Sequence, residues 1–364
     1  MTAFRLAHAR GADWRECVDA CATRLGRGDG LGFAYFTDEL VADAAQILGA
    51  LRERTGVHDW VGTVGVGVLA TGAEYVDEPA LAAMVADFEP GHYRVFSGKA
   101  RLPQAAAQPA QAAAPASFAV VHADPNTPEV PELIADMSAK VASGFLVGGL
   151  SSSRAATVQI ANDVLSGGLS GVVLASDVRV GTRLTQGCSP LPGRYRITEC
   201  EGNVIATLDY RPALDVFREA IGELLARDLR RAAQTIHAGL PVVGSDTGDY
   251  MVRNLIGIDP RNKLIAIGDE VHPGGELLFC RRDGASARDD LLRVVGELKK
   301  GGTARGALYF SCVARGEHMF GRRGAELELV RDALGDVPLV GFFCSGEISH
   351  DRLYGYTGVL TLFY

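Results

Sequence analysis

Val337-Pro338-Leu339-Val340-Gly341-Phe342-Phe343-Cys344-Ser345-Gly346-Glu347-Ile348 decides how the rest of the chain is read. Leu339 to Phe343 is an apolar run too short for a helix, which reads as a buried strand. It breaks at the glycine turn Cys344-Ser345-Gly346-Glu347. Upstream, AELELVRDAL (325–334) has helical periodicity and Gly335 to end it, and ALYFSC (307–312) is a second strand. Two strands joined through a helix are parallel, which makes this segment an α/β unit.

The same order recurs near the N-terminus. A strand from Leu31 to Phe36 is followed by a helix from Asp38 to Arg54 that Gly56 can close, then a strand from Val61 to Leu69. In both places Val-Gly precedes a second glycine five residues on: Gly62 and Gly67, Gly341 and Gly346. A weaker third copy runs from Phe118–Val121 through a helix at Glu129–Ala142 to Phe145–Val147 and Gly148-Gly149. Repetition of this kind predicts internal duplication. The expectation is an α/β fold of two related mixed-sheet domains with outer helices, divided into residues 1–210 and 211–364. The middle of the chain reads as strands, including a hairpin of Arg194–Glu199 and Val204–Leu208. Residues 103–116, PQAAAQPAQAAAPA, read as an exposed connector, because Pro103, Pro109 and Pro115 prevent a stable helix.

Bulk properties exclude several function classes. The 364 residues are 47% hydrophobic and 22% charged, enough apolar material for sizeable cores. A net charge of −8 disfavours nucleic acid as a partner. Arg5, Arg10, Asp13, Arg15 and Glu16 interrupt the N-terminal stretch, so neither a signal peptide nor a membrane span is expected, and a cytoplasmic location is. Seven cysteines without a CxxC pair argue for reduced thiols and against structural zinc. The glycine run at 62–67 is followed by Val68 where a phosphate loop needs lysine, and no kinase signature is present. No cofactor is expected.

YMVRNLIGID (250–259), GALYFSCVARG (306–316), VPLVGFFCSGEI (337–348) and YTGVLTLF (356–363) resemble the C-terminal domain of the FIST family. WVGTVGVG (60–67), LVGGLSSS (146–153) and GTRLTQGCSP (181–190) resemble its N-terminal domain. The first glycine motif departs from the family's Gly-Cys-Ser/Thr-Thr-x-Gly: Gly62-Thr63-Val64-Gly65-Val66-Gly67 lacks the cysteine and the second hydroxyl. The resemblance implies a sensory module for small ligands such as amino acids, often found beside signalling output domains. This chain shows no output domain, so a signalling partner protein would carry the output.

The candidate ligand-binding residues cluster at strand ends. Gly341, Cys344, Ser345 and Gly346 form a turn whose backbone can approach a ligand, and Glu347 could receive an amine. Cys312 and Arg315 end the partner strand, and a guanidinium there can hold a carboxylate in bidentate fashion. Arg253 stands in an apolar strand and could supply a second positive charge; Gln186-Gly187-Cys188 is another glycine turn. Each residue also has a plainer role, as a tight turn, a surface ion pair or a packed thiol. Two rival functions stay open: an enzyme or redox protein using Cys344 or Cys312, and a protein–protein adaptor.

Overall fold

Asp13 starts the first helix, its carboxylate accepting from the backbone N–H of Arg15 at 2.7 Å and Glu16 at 3.2 Å. Gly26 closes that helix, and Gly56, at φ +77°, closes the helix Ala44–Thr55. Their apolar stripes, Cys17, Val18, Cys21 and Leu25 on one and Ile47, Leu48 and Leu51 on the other, cover one face of a sheet. These are features of a computed structural model that describes residues 3–98, 115–242 and 249–364.

The chain divides into two units: Met1–Thr185 together with Arg288–Tyr364, and Gln186–Ala287. These divisions do not coincide with the sequence boundary at 210/211. The copies at the two ends of the chain, expected in separate domains, share the first unit.

Among its described residues that unit has three six-stranded sheets, each centred on one strand–helix–strand copy. Leu31–Thr37 pairs in parallel with Asp59–Gly65, Ala116–Ala123 with Phe145–Leu150, and Gly306–Cys312 with Leu339–Cys344. The weak middle copy is thus complete in structure. Each copy then makes a short hairpin that joins another copy's sheet. Gly67–Ala70 pairs with Leu339–Cys344, Gln159–Ala161 with Asp59–Gly65, and Glu347–Ser349 with Phe145–Leu150. The strand expected over Val61–Leu69 therefore breaks at Val66, where the chain leaves one sheet for the next. This exchange closes the three copies into a ring.

One glycine per copy makes the parallel pairing possible. A Cβ placed on Gly62, Gly148 or Gly341 would lie 1.7, 1.7 and 1.6 Å from the carbonyl oxygen of Ala34, Val121 and Tyr309. One register step further, Tyr35, His122 and Phe310 meet at the centre of the ring. Their ring centroids lie 5.5 to 6.2 Å apart, and Tyr35 Oη is 3.1 Å from His122 Nε2. Burial pushes His122 down to a pKa of about 3, so it is a neutral core residue.

The second unit enters the third copy between its edge strand Val180–Gln186 and its central strand. Among the described residues it is an eight-stranded antiparallel sheet in which Glu276–Arg282 pairs with both Tyr195–Glu201 and Ile236–Pro241, closing a ring of six strands. Ile197, Ile205, Leu255, Ile265 and Phe279 fill it, and Leu214 and Phe217 of the helix Ala213–Ala226 belong to the same core. A second helix, Leu229–Thr235, runs directly into the strand Ile236–Pro241. The connector 103–116 lies outside the described residues up to 114; Ala116 opens the strand Ala116–Ala123. Among the described residues, no helix is long and apolar enough to cross a membrane.

Candidate functional site

The third copy's strands end side by side, with Cys312 opposite Cys344. Past Cys312 the chain turns, and Arg315 folds back beneath it, fully buried. Glu326, at the start of the helix Ala325–Leu334 and equally buried, takes its charge. Arg315 Nε and Nη2 each lie 2.8 Å from Glu326 Oε1. Tyr309 Oη donates to the same oxygen at 2.6 Å, while Ser311 Oγ and the Gly316 N–H donate to Oε2 at 3.1 and 3.3 Å. The Phe320 ring lies 5.2 Å from the guanidinium carbon. This is a buried ion pair whose carboxylate is fully satisfied.

The guanidinium is not. Arg315 Nη1 is buried and has no hydrogen-bond partner among the described residues. Arg315 lines a cavity of about 170 Å³ with Val313, Glu317, His318, Phe343 and Glu74. Glu74 arrives on the first copy's hairpin, so the exchange of hairpins builds this cavity. Its Oε2 accepts from the Gly324 N–H at 3.1 Å. Burial, with repulsion from Glu326 and Glu317, raises the Glu74 carboxyl to a pKa of about 7 against the pull of the Gly324 N–H and Arg323. Arg323 ties the rim, pairing with Glu317 at 3.2 Å and with Asp77 at 3.0 Å. A fixed cationic edge and a carboxyl that titrates near neutrality thus face one small space.

The glycine turn is used differently from the sequence reading. Ser345 is exposed, but its N–H donates to Leu150 O at 3.1 Å, and Gly346 O accepts from the Leu150 N–H at 2.8 Å. Gly346 is buried against Leu353 and Leu150, and Gly341 is the close-approach glycine. These backbone groups join two sheets and are not open donors. Glu347 is fully buried, its Oε2 accepting from Thr357 N–H and Oγ1 at 3.1 and 2.8 Å. Burial raises its pKa to about 8, the Thr357 hydrogen bonds opposing. Burial and the nearby Glu347 push Cys312 up to about 12, and burial pushes Cys344 well above the ordinary thiol range. Both stay protonated at neutral pH, the form that does not act as a nucleophile.

The remaining residues lie in the second unit. Arg253 pairs with Asp269 at 2.7 Å, in a different sheet from Arg315, so the two arginines are not on neighbouring strands. Gln186 Nε2 donates to Tyr250 O at 3.2 Å, and Gly187 O accepts from the Asp283 N–H at 3.4 Å. Cys188 is buried and its carbonyl accepts from Tyr250 Oη at 2.6 Å. Within the first unit, Arg315 is turned into the ion pair with Glu326 and Glu347 into hydrogen bonds with Thr357. Sequence reasoning missed Glu74, Arg323 and Glu326. Glu326 stood in the predicted helix, but Glu74 has no sequence signal, being brought in from 241 positions away (315 − 74).

Comparison with known families now supplies the class. The FIST N domain matches residues 30–211 and the FIST C domain residues 213–350. The chain belongs to the FIST family, whose domains are associated with sensory and signal-transduction proteins. It is 31% identical over 358 residues to an uncharacterized protein of Mycobacterium tuberculosis, covering 92% of this chain and 90% of that one. An uncharacterized protein of Mycobacterium bovis is 29% identical, with 92% and 89% covered.

Proposed function

We propose that this protein is a sensor for a small carboxylate-bearing metabolite, an amino acid being the class that fits, and that a partner protein carries its output. The observation that carries the reading is the buried Nη1 of Arg315, unpartnered beside a small cavity. A buried donor without an acceptor costs about 1–3 kcal/mol, which a bound carboxylate would recover. Glu74 gives the second end of the ligand a partner. When ionised it accepts from an ammonium group, so an amine-bearing ligand binds more tightly as pH rises through about 7. A volume of about 170 Å³ suits a molecule of amino-acid size and is below the usual range for drug-sized ligands.

The test is a thermal-shift screen of amino acids and simple carboxylates, followed by calorimetric titration of any hit. A ligand at 100 times its Kd stabilises the fold by about 2.7 kcal/mol. Arg315→Lys keeps a charge but loses the planar fork, and is expected to weaken the hit roughly 10- to 100-fold. Glu74→Gln is expected to weaken amines selectively and to remove the rise in affinity near pH 7. A hit that binds both variants as tightly as wild type would place the ligand elsewhere.

A further inference from the structure

A larger cleft lies where the second copy's parallel strands begin. Its volume is about 920 Å³, against about 170 Å³ for the Arg315 cavity. Ser117, Phe118 and Phe145 line it where their strands begin, and Arg179, Arg183 and Lys300 supply charge. Among the described lining residues, three side chains are cationic and one, Glu297, is acidic, in a chain of net −8. Glu297 is further shared with Arg293 at 2.7 Å, which leaves Arg183, 3.3 Å away, only partly neutralised. Lys300 is exposed and no ion pair holds it among the described residues.

The helix Gly284–Lys299 ends here, and its carbonyl end would by itself repel an anion. Two donors counter that. Arg179 Nη2 donates to Gly301 O at 3.1 Å, and Tyr364 Oη donates to Leu298 O at 2.7 Å. Arg179 also lies over the Tyr364 ring at 5.8 Å, which holds its charge at the cleft. A Cβ on Gly181 or Gly301 would lie 2.5 or 2.6 Å from Tyr364 Oη, so both glycines make room for that ring.

From these features we infer a second ligand site, for a phosphate-bearing molecule of nucleotide size. Separate cations and serine hydroxyls suit the several oxygens of a phosphate. Phe118, Phe145, Val178 and Leu298 offer an apolar wall for the organic body. The volume lies in the range of small-molecule sites. This site is independent of the Arg315 cavity.

The experiment is calorimetric titration at low ionic strength with adenosine monophosphate, inorganic phosphate and adenosine. Wild type is expected to bind adenosine monophosphate with a Kd below about 1 mM, more tightly than either fragment. Arg179→Gln and Lys300→Gln, both at exposed positions, are expected to weaken the nucleotide at least 10-fold and leave adenosine unchanged. Arg315→Lys is expected to bind the nucleotide as wild type does. The inference is overturned if adenosine monophosphate, guanosine monophosphate and pyrophosphate all fail to bind wild type. It is equally overturned if both surface variants bind the nucleotide unchanged.

Discussion

In the first copy, the strand Asp59–Gly65 passes through Val66 into a hairpin whose second residue is Val68. In the third, Leu339–Cys344 passes through Ser345 into a hairpin that begins at Glu347. Val68 and Glu347 occupy the same register, opposite Phe342 and Gly149, each one residue past its close-approach glycine. Both are fully buried. Both helices start on a buried alanine, Ala44 in the first copy and Ala325 in the third, but the third follows it with buried Glu326 and the first with exposed Ala45. One backbone plan thus tolerates either an apolar filling or a charged one. The third copy buries both partners of an ion pair and a further acid, Glu347, beside the Arg315 cavity, whereas the first copy's buried acid, Asp38, pairs with the exposed Arg154.

The largest test of that difference is the ion pair. Glu326→Ala leaves the Arg315 guanidinium buried without its counter-charge and is expected to cost about 3–5 kcal/mol in denaturant unfolding. The double change Arg315→Met with Glu326→Leu gives the third copy an apolar filling like the first, and should recover most of that loss. A double variant as unstable as the single one would mean that the pair is needed for folding in this copy.

How much of this was legible follows from where each signal lives. The strands 307–312 and 339–343 and the helix between them rest on local periodicity, which a sequence carries. The close-approach glycines showed as the Val-Gly pattern, though the sequence could not say that Gly62, Gly148 and Gly341 meet backbone oxygens. The hairpin exchange was not legible. Ala73–Val76 is a short strand in the first copy, and nothing in AEYV says that Glu74 lines a cavity with Arg315. The division into units was hidden because the second unit interrupts the third copy between two strands, and its short strands resemble those around it. Arg253 was read as a charge in search of a ligand because Asp269, its partner, lies across a hairpin.

A smaller effect separates the copies by pH. The second copy places Gln159 at the register of Val68 and Glu347, opposite Thr63. Glu347 has a folded pKa of about 8 against an ordinary 4.5, so the folded state holds its proton more tightly than the unfolded chain. The stabilisation is fully present below pH 4.5 and is lost as pH rises to about 8, with a slope of up to about 1.4 kcal/mol per pH unit. Glu347→Gln, which installs the second copy's residue, is expected to flatten this part of the stability profile and to stabilise the protein at pH 8. Denaturant titrations of wild type and variant at pH 5 and pH 8 check it. An unchanged pH slope in the variant would show that Glu347 is not the group that titrates.

The smallest expected effect compares the first copy with the second. Between its edge strand and central strand the first copy has the helix Trp14–Leu25, which buries Cys17, Val18, Cys21, Ala22 and Leu25. The matching stretch of the second copy runs between the strands Tyr93–Gly98 and Ala116–Ala123 and contains PQAAAQPAQAAA (103–114). Alanine, glutamine and proline offer little to bury, and each doubling of a loop's length changes its closure cost by only about 0.6 kcal/mol. Replacing 103–114 with a Gly/Ser linker of equal length is therefore expected to cost less than about 1 kcal/mol. Leu25→Ala, which opens a void between the first copy's helix and sheet, is expected to cost about 2–5 kcal/mol. Both follow from urea unfolding of the two variants beside wild type. A linker variant as damaged as Leu25→Ala would mean that the second copy packs this segment as the first packs its helix, and that composition misjudged it.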